Sequence, residues 1–229
     1  MKIICAHQPQ YLPYLGIFNK ISKSNIFLFL SGVAYQKKAW INRTLIKLNN
    51  FKSAYLTIPV KDIHLNTIIK DVQINNHNWK FKHLKTLELN YKKKKGFDSF
   101  FPVLHRVLSI KSNFLIDYTI PAMVEIINIF KIKTIIKTDD ELFFKEKGTD
   151  LLIEITKKLK GDTYLSGIGS KNYVNESIFK KNNIMHLINN FSHPIYKQKG
   201  SFLPNMSIID LIFNEGIEEA NNIFWNNES

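Results

Sequence analysis

Residues 2–30, "KIICAHQPQYLPYLGIFNKISKSNIFLFL", decide the fold. The run over 2–6 is short and apolar, as in a strand buried on both faces. Leu15, Phe18 and Ile21 then recur at helical spacing within 15–23, and "NIFLFL" (25–30) returns to a short apolar run. Strand, helix and strand in that order form a crossover unit, which predicts parallel pairing. The final third repeats the rhythm. "TIIKT" (134–138) and "TYLSG" (163–167) are strand-like, while "GTDLLIEITKKLKG" (148–161) and "SIFKKNNI" (177–184) are helical.

Between these ends the pattern changes. "AYQKKAWINRTLIKL" (34–48) followed by "AYLTIPV" (54–60) predicts extended chain or a hairpin beside the sheet. Phe81, Leu84, Leu87 and Tyr91 mark one buried face of a helix over 79–91. Two more helices are expected over 101–110 and 114–132, the second capped by Ser112 or Asn113 and kinked or split by Pro121. The expectation is an α/β, Rossmann-like domain spanning 1–229, with a mostly parallel sheet and a helical insertion over roughly 79–132.

Composition narrows the function. With 32 basic against 19 acidic residues the chain carries a net charge of +13, which fits a generic solvated surface, a phosphate-bearing small ligand or RNA. Its apolar runs are too short for a membrane span, and "MKIICAHQ" lacks the long apolar region of a signal peptide, so a soluble, cytoplasmic protein is expected. The single cysteine, Cys5, excludes an internal disulfide and a thiolate-rich zinc site, and no metal ligands are assigned.

In open parallel sheets ligands bind beyond the carboxyl ends of the strands, which places weight on two segments. After the first strand, His7 either ties the turn to a backbone carbonyl or stabilises charge and moves a proton, with Gln8 and Tyr11 beside it as candidate substrate contacts. Pro9 and Pro13 stiffen this loop. In "YLSGIGSKNY" (164–173), Gly167 and Gly169 permit close backbone approach, and Ser166, Ser170, Lys171 and Asn172 can address phosphate or carboxylate. Lys38, Trp40, Asn42 and Arg43 add a stacking ring and a guanidinium fork suited to a phosphate or carboxylate. Near the end, His193, Tyr196 and Gln198 precede a helix whose Ser207 and Asp210 fit a capping box.

These segments together resemble the WbqC-like proteins: "HQPQYLPYLG", the spacing of Trp40, Asn42 and Arg43, "LTIPV", "YLSGIGSKNYV" and "HPIYKQKGSFLPNMSIIDLIFNEG" fall in the family's order, over about residues 2–217. Ser31-Gly32 stands where the family commonly has acidic residues, and Lys171 where it has arginine. The resemblance implies a role in bacterial surface-polysaccharide (O-antigen) biosynthesis: transfer of an activated amino acid, glycine for example, to the amine of an amino sugar carried as a nucleotide sugar. The donor it implies is an aminoacyl-tRNA, a carrier-protein thioester, or an amino acid activated by ATP with Mg. The ATP route rests on a second resemblance, to class I adenylylating enzymes such as pantothenate synthetase, in which His7 and Lys171 would stabilise the α-phosphate. A non-catalytic nucleotide-sugar-binding or scaffold protein of the same pathway is the alternative.

Overall fold

The computed structural model describes residues 1–140, 142–172 and 174–226, with the side chains of Lys171 and Asn172 outside that description. Its strands are β1 (Ile3–His7), β2 (Ile26–Phe29), β3 (Arg43–Lys47), β4 (Ser53–Thr57), β5 (Ile135–Thr138), β6 (Thr163–Gly167) and β7 (Met185–Asn189). The helices are α1 (Leu15–Ser22), α2 (Asn78–Tyr91), α3 (Phe97–Leu108), α4 (Ile116–Ile129), α5 (Gly148–Lys158), α6 (Glu176–Lys181), α7 (Ile208–Glu215) and α8 (Ile217–Asn226). The chain forms two compact units. One comprises Met1–Gln8, Gly16–Gly32 and Ile132–Ser192, the other Pro9–Leu15, Val33–Lys131 and His193–Ser229.

The first unit is the expected α/β, Rossmann-like body: a five-stranded parallel sheet in the order β5-β2-β1-β6-β7. Its central strands are apolar because both faces are covered; Ile4, Cys5 and Ala6 of β1 and every residue of β2 are buried. The outer strands β5 and β7 are largely exposed or half-buried, which is why "MHLIN" of β7 lacks a readable apolar run. Chain progression runs outward from β1 to β2 and β5, then resumes on the other side of β1 with β6 and β7. That reversal puts the topological switch point between β1 and β6. Their ladder runs through Ile3↔Thr163 and Ile4↔Tyr164, whereas β1 and β2 stay in register to His7↔Phe29. Beyond the second pair, β1 and β6 leave their common ladder, and the carboxyl ends are free to frame a crevice.

The second unit holds β3, β4 and most of the helices. The hairpin expected beside the sheet is an antiparallel pair of its own, with Arg43↔Thr57 and Lys47↔Ser53 at its ends. Helix α2 buries Trp79, His83, Leu87 and Tyr91, one residue in four, while Phe81 is 69% exposed. The polar His83 hid this stripe from an apolar count. Its Nδ1 accepts a 3.0 Å hydrogen bond from the Tyr11 hydroxyl, and Trp79 packs edge-on against Tyr118 at 5.3 Å. Helix α4 runs unbroken through Pro121. Ser112 does not cap it; its hydroxyl donates to Asp117 at 2.5 Å and accepts from the Phe114 amide. No helix among the described residues is long and apolar enough to cross a membrane.

Gly96 joins α2 to α3 where the α7 backbone passes closest: a β-carbon there would lie 2.0 Å from the Ile212 carbonyl oxygen. Gly96→Ala is therefore expected to destabilise the protein by about 2 kcal/mol or more, the range of overpacking changes that require backbone movement. Urea unfolding checks this, and a midpoint within error of the parent would refute the close approach.

Candidate functional site

At the carboxyl edge of the parallel sheet, three titratable groups of the first unit cluster around the end of β1. Lys20, on α1, is 4% exposed and reaches the Ala6 carbonyl at 3.5 Å. No carboxylate among the described residues pairs with it in an ion pair. Burial pushes the Cys5 thiol up, against the pull of Lys20. His7 is held down to about 3, chiefly by burial and further by the Lys20 charge, with the Gln8 carbonyl opposing. Because a carbonyl can only accept, the 2.9 Å contact from His7 Nδ1 to Gln8 O fixes the proton on Nδ1. His7 is thus a neutral imidazole whose Nε2 is an acceptor at physiological pH, and it ties the turn as well.

Across the switch point, β6 ends in Ser166 and Gly167 and continues into a tight turn over Ile168–Asn172. A β-carbon at Gly167 or Gly169 would meet nothing within 4 Å, so the backbone is open to close approach. Ser170 Oγ is buried without a hydrogen-bond partner among the described residues. Ser166 donates to or accepts from His186 Nε2 at 2.8 Å. The side chains of Lys171 and Asn172, both candidate site residues, lie outside the described residues. At the ends of β2 and β5, Asp139 accepts from the Ser31 and Gly32 amides at 2.8 and 2.7 Å and from the Ser31 hydroxyl at 2.5 Å. Asp139 is a buried acid that belongs to none of the motifs quoted from the sequence.

The second unit brings the basic–aromatic segment together as a pocket of about 330 Å³, lined by Lys37, Lys38, Asn42, Arg43, Lys61 and Asp62 among others. Four cations face one carboxylate there, a balance that favours an anion. The Arg43 guanidinium lies 4.7 Å from the Tyr55 ring and 5.8 Å from Trp40, and donates to the Lys38 carbonyl. Its Nε is buried without a hydrogen-bond partner among the described residues. Trp40 and Tyr55 are 44% and 50% exposed with ring centroids 5.8 Å apart. Asn42 is buried and anchors the pocket wall by donating to the Ile58 carbonyl at 2.8 Å.

The late motif in the same unit is built around an acid. Asp210 is fully buried on α7 and accepts from Tyr91 at 2.6 Å, Tyr196 at 2.8 Å and Gln198 at 2.9 Å. Burial raises its pKa against the pull of these donors and of Lys47. Gln198 also accepts from Lys47 and from the Leu203 amide, so both ends of its amide bond to protein. The capping box expected of Ser207 and Asp210 is absent: Ser207 Oγ donates instead to the Leu12 carbonyl at 2.7 Å. His193 is half-buried, its Nδ1 donating to the Pro194 carbonyl at 2.8 Å, and burial lowers its pKa.

The family model of WbqC-like proteins matches residues 8–222, nearly the whole chain and all of these segments except Cys5 and His7 of β1. The chain belongs to the WbqC-like protein family. It is also similar to the uncharacterized protein Rv1507c of Mycobacterium tuberculosis (strain ATCC 25618 / H37Rv), 27% identical over 229 residues that cover 95% of this chain and 96% of that one. No solved structure matches significantly. In this WbqC-like protein, the residues that family resemblance did not single out include Lys20, Asp139, Glu176 and His186 around the parallel sheet and Lys37, Tyr55 and Lys61 at the basic pocket and its aromatic pair.

The depressed histidines set an acid sensitivity. His7 sits at about 3 and His83 at about 4, the latter lowered by burial against a hydrogen bond to the Thr57 backbone. An unfolded histidine titrates near 6.5, so between pH 6 and 5 the unfolded chain binds protons that the folded chain refuses. Stability therefore falls with falling pH in that window, by up to about 1.4 kcal/mol per unit for each histidine. His7→Gln is expected to remove one histidine's share of that slope; Asp210, which acts in the opposite sense, is common to both proteins. Urea unfolding at pH 7, 6 and 5 measures the difference, and parallel slopes would contradict it.

Proposed function

We propose that this protein is a transferase that forms an amide between an activated amino acid, glycine in the simplest case, and the amine of an amino sugar carried on a nucleotide. The observation that carries this reading is the pocket of Lys37, Lys38, Arg43 and Lys61 beside the exposed Trp40–Tyr55 pair. Clustered cations suit a pyrophosphate, an exposed aromatic pair suits the flat face of a base or sugar, and the unpartnered Arg43 Nε is one donor short of an acceptor. Family resemblance supplies the amino sugar and the polysaccharide pathway.

Amide formation requires the amine to lose a proton as it attacks the acyl carbon. His7 holds its own proton on Nδ1, and burial together with the Lys20 charge makes its Nε2 too weak a base to take the amine's proton near neutral pH. The same tautomer favours a pre-activated donor, a carrier thioester or aminoacyl-tRNA, over activation by ATP with Mg. A neutral His7 has no N–H on Nε2 and no charge to offer an α-phosphate. Lys171 would then bear that task alone.

Incubating the purified protein with amino-sugar nucleotides and glycine supplied as a thioester, as glycyl-tRNA, or free with ATP and Mg tests the proposal by mass spectrometry of the product. An aminoacylated nucleotide sugar from a pre-activated donor is expected. Stoichiometric binding without product from any donor would make the protein a binding module. Arg43→Ala should raise KM for the nucleotide sugar at least ~10-fold with kcat little changed, since a charge-assisted hydrogen bond is worth about 1.5–3 kcal/mol. Arg43→Lys should restore only part of that loss, because an ammonium has neither the planar fork nor the same ring stacking.

A further inference from the structure

We infer that Ser166, His186 and Glu176 form a relay that activates the Ser166 hydroxyl to carry an acyl group. All three belong to the first unit: Ser166 near the carboxyl end of β6, His186 on the adjacent strand β7, and Glu176 at the start of α6. His186 lies between the other two, with Nε2 2.8 Å from Ser166 Oγ and Nδ1 2.6 Å from Glu176 Oε1. In the neutral ring the carboxylate holds the proton on Nδ1, and Nε2 is left to accept from the serine. The ring cannot easily turn away from this arrangement. Its side chain is 1% exposed and stacks on Phe179 at 4.5 Å and 19°.

A second observation on the same turn points to a ligand. Ser170 Oγ, four residues after Ser166, is buried with no hydrogen-bond partner among the described residues; Ser166 is itself 4% exposed, and a β-carbon at Gly169 in the turn would meet nothing within 4 Å. An acyl group on Ser166 would bring a carbonyl oxygen to this turn, and an unpaired hydroxyl is the kind of donor that its developing negative charge requires. Strand order puts the turn at the switch point of the sheet, where ligands bind in folds of this class.

The chemistry balances with a thioester or oxygen ester as donor. Ser166 Oγ attacks the acyl carbon as His186 Nε2 takes the hydroxyl proton, and the carbon–sulfur or carbon–oxygen bond to the leaving group breaks. His186 returns the proton to the departing thiolate or alkoxide. An amine then attacks the serine ester, releasing an amide and regenerating the Ser166 hydroxyl. His186 is a catalytic residue in this scheme, and Glu176 is a positioning residue. The second step rests on the transferase reading, but the acyl-serine forms without any acceptor and is tested alone.

The test treats the full chain with a glycyl thioester or with p-nitrophenyl acetate and follows intact mass and nitrophenol release, then maps the adduct by peptide mass spectrometry. One acyl group per chain on Ser166 is expected, absent in Ser166→Ala and formed at least ~100-fold more slowly in His186→Ala. Ser166→Cys, which keeps a nucleophile, should be labelled and so separates lost chemistry from lost folding. Glu176→Gln should slow labelling and alter its pH profile while leaving the unfolding midpoint near the parent's, which a merely structural contact would not do. A parent chain unlabelled by both donors, or label that persists in Ser166→Ala, overturns the relay. Amide product made equally well by Ser166→Ala would overturn it too, and leave the transferase reading intact.

Discussion

Water reaches neither face of the middle of β1, and much of the molecule follows from that constraint. Ile4, Cys5 and Ala6 alternate between the two faces, yet all three are buried. Parallel ladders on both sides must then satisfy the backbone, and the side chains must be apolar. Polar groups are displaced to the strand ends, where His7 and the aliphatic stem of Lys20 reach the edge of the apolar layer. Because β1 is also where strand order reverses, the place that chemistry is pushed to is the place where two neighbouring strands part.

The second unit depends on a different bargain. A carboxylate with no exposure is costly to bury, and Asp210 is tolerated because two phenols and an amide donate to it while Lys47 stands near. Tyr91 comes from α2, Tyr196 and Gln198 from the segment before α7, and Lys47 from the end of β3, so one acid ties together four parts of the unit. The polar residues of the late motif therefore serve mainly to hold that helix in register. The phenol rings add apolar contact: Tyr91 stacks on Phe213 at 4.8 Å, next to Phe97 and Phe100.

Much of this architecture was legible in the amino-acid sequence, because buried parallel strands leave short apolar runs and crossover helices leave spaced ones. β1, α1, β2, β5, α5, β6 and α6 all fall where those patterns put them. β7 was not readable: as an edge strand it mixes Met185, His186 and Asn189 with its apolar residues. The buried face of α2 was misjudged because His83 completes a hydrogen bond inside the core, which no apolar count can register. Local spacing suggested a cap at Ser207 and Asp210, but tertiary partners 195 and 119 residues away captured both side chains. Of the pocket residues Lys38, Asn42 and Arg43 were legible individually, from their chemistry, whereas Lys37, Lys61 and Asp62 were not; their convergence, and the pairing of Ser166 with His186, are properties of strand order and register.

Interleaving of the two units bears on how the chain is made. The polypeptide passes between them five times, so neither is a contiguous stretch that a ribosome could release to fold first. β2 waits for β5, more than a hundred residues later, and the sheet is complete only when Asn189 has emerged. Tyr91 meets its acid only when residue 210 is out. Until then the nascent chain carries unpaired parallel edges and an apolar helical stripe in water, the circumstances in which chains aggregate or recruit chaperones. Fragments cut at any single point would inherit the same incompleteness, so this chain is built to be finished late and all at once.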